Sequence, residues 1–255
     1  MTGGEYAGKH RRTGAGAIPA PRWSSRPAVG SSRPLAAQVV VIAKEPVPGR
    51  VKTRLTPPFT PAQAAALAEA SLVDTLAAVA ATPVSRRVLA LDGSSGPWLP
   101  AGFDVIGQRG AGLDERIAWA LTDAQDTLAV PLVLIGMDTP QVTPGLLAAA
   151  AGPLVSDTAD ATFGLAEDGG FWLLGPRKID PALVLGVPMS QPDTGSRQLL
   201  RLERAGLRVR RLPELIDVDT VAEAEHIAAA TPCSAFAACL AGLRYGSAQA
   251  TAVTR

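Results

Sequence analysis

The densest group of side chains that could bind phosphate follows the first apolar run of the chain. Residues 43–55 read AKEPVPGRVKTRL. Arginine offers phosphate a bidentate fork, lysine a point charge, and a glycine between prolines leaves backbone amides free in a stiffened loop. We therefore predict an oligophosphate site here, with a solvated basic loop as the alternative. The predicted phosphate-binding residues are Lys44, Gly49, Arg50, Lys52, Thr53 and Arg54.

A carboxylate stands at the end of the clearest strand-like run of the sequence. Residues 131–135 are apolar, and Asp138 follows them within the segment 136–140, which reads GMDTP. A carboxylate next to a buried strand is costly to desolvate unless a cation or hydrogen bonds compensate it. Mg²⁺ takes one or two carboxylates together with water and phosphate oxygens. Asp138 is therefore a predicted catalytic metal ligand for Mg²⁺ or Mn²⁺, and the alternative is a capping role in the following turn.

Two further acidic segments lie later in the chain. Glu167 and Asp168 precede a pair of glycines, which allow the backbone to approach a ligand closely. Asp168 is predicted to take part in catalysis by binding metal or holding an acceptor, whereas an ordinary hairpin turn is the alternative. Asp217 and Asp219 precede Thr220, and either of the latter two would serve equally as the cap of a final helix.

The scarce residue types exclude several classes of catalysis. The chain has only two histidines, His10 in a polar stretch and His226 in an alanine-rich run. Ser-His-Asp and Cys-His sites need an imidazole on a packed scaffold, and structural zinc needs about four Cys or His ligands. Neither a Walker loop nor a dinucleotide-binding glycine motif is present. Carboxylates, basic side chains, backbone amides and a hard metal remain, which indicates chemistry without a covalent intermediate.

Charge and composition separate a tail from the rest of the chain. Residues 1–35 carry six Lys or Arg and one acid, whereas the remainder carries 18 basic and 22 acidic residues. The first stretch is rich in Gly, Ser and Pro and is predicted to be a disordered basic tail. The acidic balance of the rest argues against a nucleic-acid partner. No uninterrupted apolar run is long enough to predict a membrane span, and two cysteines six apart predict a reducing, cytoplasmic location.

The element pattern predicts the fold class. Short apolar runs alternate with helical stretches, which predicts an α/β domain with a mostly parallel open sheet and helices on both faces. We assign residues 36–231 to this domain and residues 232–255 to a helical C-terminal appendage. Ligands of such sheets bind beyond the carboxyl ends of the strands. The basic loop and the acidic segments all follow predicted strands, so they should meet at one edge.

Taken in order, these segments resemble a known family. The loop at 43–55, the segment 136–140, the acidic pair with its glycines at 167–170 and the segment 217–220 are similar to the uncharacterised GT-A-fold glycosyltransferase-like proteins with an AKxPxPGxxKTRL loop. The likeness covers about residues 38–230 and is more distant to phospholactate and molybdenum-cofactor guanylyltransferases. It implies a fold of the GT-A or nucleotide-diphospho-sugar transferase type, with Asp138 and Asp219 as metal ligands and Lys52 and Arg54 on phosphate. Residues 108–115 correspond to a loop near the base.

We therefore expect a metal-dependent nucleotidyltransferase that moves a nucleoside monophosphate from a nucleoside triphosphate to a small-molecule acceptor and releases pyrophosphate. The expected catalytic residues are Lys52, Asp138 and Asp168, because such chemistry consists mostly of positioning and charge neutralisation. Glycosyl transfer from an NDP-sugar, with Asp168 or Glu167 as the acceptor base, is the alternative. A nucleotide-binding module without turnover is the third. The base, the acceptor and the oligomeric state stay open at this point.

Overall fold

The structure, a computed structural model, describes the backbone of residues 33–253 and the side chains of residues 33–244, and the predicted tail up to residue 32 lies outside this part. Its centre is a seven-stranded sheet in the order β3-β2-β1-β4-β6-β5-β7. Neighbouring strands run parallel except β6, which is antiparallel to both β4 and β5. The predicted α/β class with a mostly parallel sheet is confirmed. The strands are β1 (Leu35–Lys44), β2 (Val84–Asp92), β3 (Asp104–Gly107), β4 (Leu132–Ile135), β5 (Ala161–Leu165), β6 (Phe171–Pro176) and β7 (Val209–Arg211).

Six α-helices connect or follow these strands: α1 (Pro61–Ala81), α2 (Leu113–Thr127), α3 (Pro144–Val155), α4 (Thr194–Arg204), α5 (Val221–Ala230) and α6 (Ala235–Val253). Three of them begin directly after a threonine. Thr60 and Thr220 each form a capping box with the third residue of their helix, and the Thr143 hydroxyl accepts a hydrogen bond from the Leu146 amide. These caps satisfy amides that the first helical turn leaves without partners.

The two faces of the sheet are both covered, as the alternation of β1 shows. Val39 and Val41 pack into a cluster with α1 and α3, whereas Val40 packs on the other face against α2 and α4. Because both faces are buried, the central strands contain almost no polar residue. Gln38 is the buried exception on β1, and its amide donates to the carbonyls of Ala124 and Leu128. The carboxyl edge of the sheet is therefore left as the place for a site.

Helix α6 occupies the segment predicted as an appendage. Its Phe236 and Leu240 are buried in a third cluster, together with apolar residues of α1 and α5. The carboxylate of Asp74 on α1 accepts the backbone N–H groups of Ala235 and Phe236, so α1 supplies a cap for the N-terminus of α6. The first half of α6 thus belongs to the packed body of the domain.

Helix α1 has the length and apolar composition of a membrane-spanning helix, with 21 residues and a mean hydropathy of 1.5 over its most apolar window. Within the described residues, 61% of that window is buried against the rest of the domain. Its buried side includes Leu67, Leu72 and Leu76, all inaccessible to solvent. A core helix of a folded domain has these properties because its apolar surface faces the sheet.

Candidate active site

A cleft of about 770 Å³ lies at the carboxyl edge of the sheet. The loops after β1, β3 and β4 contribute to its wall, together with the β5–β6 hairpin and the segments 189–194 and 217–219. Eight of the nine residues predicted to form the site line it, namely Lys44, Arg50, Lys52, Thr53, Arg54, Asp138, Asp168 and Asp219. The ninth, Gly49, lies in the same basic loop at φ +79° and forms its turn rather than the wall.

The basic loop is held by apolar anchors on each side of its central lysine. Val51 is buried in the cluster under α1, and Leu55 is fully buried in the cluster with α5 and α6. Between them, Lys52 adopts a left-handed backbone conformation, with φ 48° and ψ 38°, and a 3-10 helix (Thr53–Leu55) follows directly. A left-handed conformation costs a residue with a Cβ roughly 1–2 kcal/mol. The strained residue, Lys52, is also the loop residue whose side chain extends furthest into the acidic part of the cleft.

Lys52 joins the two aspartates that were predicted as metal ligands. Its Nζ lies 2.9 Å from Oδ1 of Asp138 and 3.3 Å from Oδ1 of Asp219. Only 6% of the lysine side chain is exposed, against 42% for Asp138 and 27% for Asp219. Nη1 of Arg54 contacts the other oxygen, Oδ2, of Asp219 at 2.5 Å, and this arginine is 71% exposed. One buried ammonium therefore neutralises two carboxylates from distant parts of the chain.

Backbone hydrogen bonds bring the two aspartates together. The Val218 amide donates to the Asp138 carbonyl at 3.1 Å, which joins the segment after β4 to the residue before Asp219. Gln141 reinforces the same join by donating from its side-chain amide to the Ile216 carbonyl. Since Thr220 is the residue whose side chain caps α5, the Asp219 carboxylate is left free to face the cleft. The alternative capping role for Asp219 is thereby excluded.

The acidic cluster perturbs two ionisable groups. Burial by itself lowers the pKa of Lys52, but the carboxylates of Asp138 and Asp219 outweigh it, so the pKa of Lys52 is raised above the ordinary lysine value. Burial, reinforced by the charges of Asp138 and Asp168, raises the pKa of Asp217 to about 7. Four aspartates thus line the cleft, and no pattern in the sequence distinguishes Asp217 from the others.

The pair of aspartates fits a divalent cation. Both Oδ1 atoms lie within 3.3 Å of a single nitrogen, so the two carboxylates face one position, and a metal there would draw them closer. Mg²⁺ and Mn²⁺ accept such a donor set when water and substrate phosphate oxygens complete it. Among the residues that the structure describes, no group of three or more His, Cys, Asp or Glu side chains is arranged to hold a metal by itself. The arrangement matches a cation shared between protein and substrate.

The β5–β6 hairpin carries Asp168, which takes part in the turn and also lines the cleft. Oδ1 of Asp168 accepts the Gly170 amide at 2.8 Å, which is turn chemistry, while the side chain also lines the cleft. The two glycines allow the backbone of the hairpin to come close to another part of the same chain. A Cβ on Gly169 would lie 1.9 Å from the Pro192 carbonyl oxygen. The expectation that these glycines approach a ligand is therefore wrong for Gly169.

Glu167, the other residue considered as an acceptor base, is held beside the sheet by a backbone hydrogen bond. Its amide donates to the Leu215 carbonyl at 3.0 Å, and its side chain is exposed. The residues that line the cleft on this side include Asp168 and Gly170, with Phe171 behind them. Asp168 is consequently the carboxylate of this hairpin that lines the cleft.

The loop after β3 reaches the cleft as the family likeness implies. The Gln108 side-chain amide donates to the carbonyls of Ala43 and Ala90, which joins the carboxyl ends of β1 and β2. Arg116 also lines the cleft, and its Nη1 lies 2.8 Å from Oδ2 of Asp92. The sequence does not single out Arg116. One arginine within an amphipathic helix gives the same pattern whether it lines a cleft or faces solvent.

The segment before α4 also lines the cleft, although the sequence patterns did not predict this. Residues 189–194 line the cleft opposite the basic loop, and Ser190 within it has a left-handed φ of 57°. The Thr194 hydroxyl donates to the Pro188 carbonyl and accepts the Gln191 amide, so the segment is internally held. Two prolines and a glycine between residues 188 and 195 were a signal for an ordered turn.

Comparisons with known proteins agree with this fold. Residues 66–191 match the profile of a family described as an uncharacterized protein conserved in bacteria (DUF2064). A crystal structure from Desulfovibrio desulfuricans G20, described as a candidate nucleotide-diphospho-sugar transferase, is 29% identical with a TM-score of 0.74, over 83% of this chain and 95% of that one. No curated protein matches the chain.

A more distant structure shares the architecture. CMP:2-keto-3-deoxy-manno-octonic acid synthetase, solved with CTP, is 15% identical with a TM-score of 0.50, over 77% of this chain and 98% of that one. At this identity the likeness concerns the fold alone. The chain therefore has the nucleotide-diphospho-sugar transferase fold, which the sequence analysis predicted, and its structural neighbours are transferases.

Proposed function

We propose that this chain is a divalent-metal-dependent nucleotidyltransferase, which transfers a nucleoside monophosphate from a nucleoside triphosphate to a small-molecule acceptor. One observation carries the proposal: a buried lysine of the basic loop lies between two aspartates from separate strand ends, inside a cleft at the carboxyl edge of the sheet. Phosphate ligands and metal ligands thus meet at one point. Transfer at a metal-bound phosphate requires phosphate ligands and metal ligands that lie close together.

The charges of the cleft match a triphosphate better than a smaller anion. Five cationic residues line it, namely Lys44, Arg50, Lys52, Arg54 and Arg116. Four of them come from the loop after β1, and they face four aspartates, two of which would hold the metal. A triphosphate carries more negative charge than a nucleoside diphosphate linked to sugar, so it makes fuller use of these cations and of the metal.

Each residue has a defined task in this proposal. Asp138 and Asp219 would hold the metal, which supplies charge neutralisation at the phosphates. Lys52 and Arg54 orient the phosphate oxygens, and Arg54 also fixes one oxygen of Asp219. Asp168 faces the acceptor and takes its proton when the acceptor is a hydroxyl. The acceptor oxygen bonds to the α-phosphorus, the bond from that phosphorus to the bridging oxygen breaks, and pyrophosphate departs.

Product analysis tests the proposal directly. Each nucleoside triphosphate is incubated with the protein, Mg²⁺ and a metabolite extract, and pyrophosphate is measured beside the transfer of an α-phosphate label. We expect pyrophosphate release that needs both the extract and the metal, with the label retained in the new product. The Asp138→Asn protein is the negative control. Metal-dependent nucleotide binding without any product would instead indicate a nucleotide-binding module.

Glycosyl transfer is the second candidate, and the likeness at 29% identity to a candidate nucleotide-diphospho-sugar transferase favours it. The same aspartate pair would then hold a metal at a departing nucleoside diphosphate, and Asp168 would take the acceptor proton. The same incubation with NDP-sugars separates the two functions. Release of a nucleoside diphosphate with sugar transfer, and no pyrophosphate from any triphosphate, would replace the proposed nucleotidyl transfer.

A further inference from the structure

We infer that Lys52 is an internal counter-cation: it occupies the metal position between Asp138 and Asp219, gives up that position when the metal binds, and then contacts the substrate phosphates. The inference rests on the proposed function, since it takes this aspartate pair as the metal site. It adds a competition within the protein between its own ammonium and the metal. Metal binding and nucleotide binding then become coupled through one side chain.

The contacts show that Lys52 and a metal would need the same oxygens. Oδ1 of Asp138 and Oδ1 of Asp219 both point at the lysine nitrogen, at 2.9 and 3.3 Å. Arg54 holds Oδ2 of Asp219, so the oxygen left for the centre of the cleft is the one that Lys52 contacts. A metal that binds both carboxylates through these atoms must displace the ammonium. Simultaneous occupancy would place two cations at one point.

Electrostatics favour a divalent metal over the Lys52 ammonium at the position between the two aspartates. Two carboxylates that converge at the end of a buried strand repel each other, and a buried uncompensated charge is strongly unfavourable. Lys52 compensates them with a single charge. A divalent ion interacts with each carboxylate about twice as strongly at equal distance, because Coulomb energy scales with the charge. Arriving substrate phosphates give the displaced ammonium a new anionic partner in the same cleft.

The backbone allows the side chain to move without moving the loop. Val51 and Leu55 are buried on either side of Lys52 and fix the loop to two apolar clusters. Lysine has a flexible four-carbon stem, and Lys52 already forms part of the cleft wall. Rotation of the stem therefore carries the ammonium away from the aspartates while the loop stays in place.

A purely structural ion pair predicts an unchanged Mn²⁺ affinity when Lys52 is replaced, whereas the exchange predicts a higher one, and that difference is the test. Mn²⁺ is titrated into the wild-type protein and into Lys52→Met without nucleotide, and free Mn²⁺ is counted by electron paramagnetic resonance. Methionine keeps the stem length and carries the same Cβ, so the left-handed backbone is strained equally. Lys178→Met is the matched control, because Lys178 is exposed and is not among the residues that line the cleft.

We expect Lys52→Met to bind Mn²⁺ roughly tenfold to hundredfold more tightly than the wild-type protein, the range of one or two charged hydrogen bonds. Lys178→Met should bind Mn²⁺ like the wild type. Without metal, Lys52→Met should melt at a lower temperature, and Mn²⁺ should raise its melting temperature by more. At saturating Mn²⁺, its affinity for ATP, CTP, GTP or UTP, tested one at a time, should fall. Opposite changes in metal and nucleotide affinity identify the exchange.

Two results would overturn the inference, and they differ in their meaning for the function. Unchanged Mn²⁺ affinity in Lys52→Met, beside metal-dependent nucleotide binding by the wild type, leaves the proposed function intact and makes Lys52 a structural partner only. Absence of Mn²⁺ binding in every protein, with and without nucleotide, removes both the exchange and the metal-dependent transferase. Should Lys52→Met fail to fold, Lys52→Asn replaces it, since asparagine tolerates the left-handed conformation.

Discussion

At the scale of single residues, the aspartates of the cleft differ in what they do for the fold. Asp138 is 42% exposed although it follows a buried strand, and its recorded charge partner is Lys52. Asp217 is partly buried and has a raised pKa of about 7, which desolvation and the neighbouring acids cause. A substitution at Asp138 should therefore test chemistry with little effect on folding, whereas one at Asp217 would disturb both.

The first prediction concerns Asp138→Asn, which keeps the shape of the side chain and removes its charge. We expect the rate of transfer to fall by at least about 100-fold, the usual loss when a preorganised charge contact at the reacting phosphate is removed. The circular dichroism spectrum and cooperative unfolding should be retained. Steady-state kinetics over a range of Mg²⁺ concentrations measure the effect. An unchanged dependence on Mg²⁺ would show that Asp138 is a turn residue.

The second prediction concerns the planar fork of Arg54. Arg54→Ala should weaken nucleotide binding by about 1.5–3 kcal/mol, the scale of a hydrogen bond to a charged group. Arg54→Lys should recover part of the loss, since it restores the charge without the fork. The matched control is Arg211→Ala, because Arg211 is 63% exposed and also pairs with a carboxylate, that of Glu203.

Titration of nucleotide at fixed ionic strength decides this second prediction. The Arg211→Ala protein should bind nucleotide within about 0.5 kcal/mol of the wild type, as expected for an exposed ion pair away from the cleft. Equal affinities in the Arg54 and Arg211 variants would mean that the exposed end of the basic loop does not contact phosphate.

At the scale of elements, the β5–β6 hairpin is held against the segment before α4 by an approach of backbone to backbone. The Gly195 amide donates to the Gly169 carbonyl at 2.8 Å. A Cβ at Gly169 would lie 1.9 Å from the Pro192 oxygen, and one at Gly195 would lie 2.1 Å from the Gly170 oxygen. The wall of the cleft that carries Asp168 thus depends on two positions without side chains.

The third prediction follows from this contact and compares two glycines of similar backbone conformation. Gly169 has φ +87° and Gly49 has φ +79°, but a Cβ on Gly49 would meet nothing within 4 Å. Gly49→Ala should therefore lower the free energy of unfolding by only about 1–2 kcal/mol, the cost of the left-handed conformation. Gly169→Ala adds the collision with Pro192 and should exceed that loss by about 2 kcal/mol or more.

Urea unfolding of both glycine variants measures the difference. Gly169→Ala should also weaken acceptor binding, since the segments 167–170 and 190–194 would have to separate. If the two variants lose equal stability, the hairpin moves freely against the segment before α4, and the cleft wall is not fixed in the way described.

At the scale of the whole molecule, an arginine network fastens the last strand to the rest of the sheet. Arg208 precedes β7 and donates to both carboxylate oxygens of Asp160 and to Oδ1 of Asp157. Hydrogen bonds from Arg177 and then Arg208 lower the pKa of Asp157, and those from Arg208 lower the pKa of Asp160. These groups are exposed, so their contribution to stability is small and reduced by salt.

The fourth prediction is the pH dependence of this network. A carboxyl whose pKa is lower in the folded state stabilises the fold above its unfolded pKa of about 4, and that stabilisation disappears as the pH falls through the folded pKa. Arg208→Met should therefore melt at a lower temperature than the wild type at pH 7. The difference should narrow as the pH falls from about 4 to 2. A difference of the same size at pH 4 and at pH 2 would mean that Arg208 acts through packing.

The sequence by itself determined the elements and the end of the sheet where function lies. Apolar runs produced the strands, because burial on both faces requires continuous apolar residues. Thr60, Thr143 and Thr220 gave the starts of three helices, because a cap is a contact between a side chain and amides only a few residues away. These are local interactions, and local sequence is enough to recognise them. The resemblance of four segments, in the same order along the chain, to a known family then predicted the fold type.

Only the tertiary structure decided how those segments meet. The hairpin turn considered for residues 167–170 accounts for the antiparallel pairing of β5 and β6, but no local pattern predicts that β6 also pairs with β4. Lys52 was predicted to face phosphate, but its contact with Asp219 spans 167 residues of sequence. The burial of Asp217, the place of Arg116 and the contact of Gly169 with Pro192 depend in the same way on loops from different strands. Such contacts are set by the order of strands in the sheet, which local periodicity does not contain.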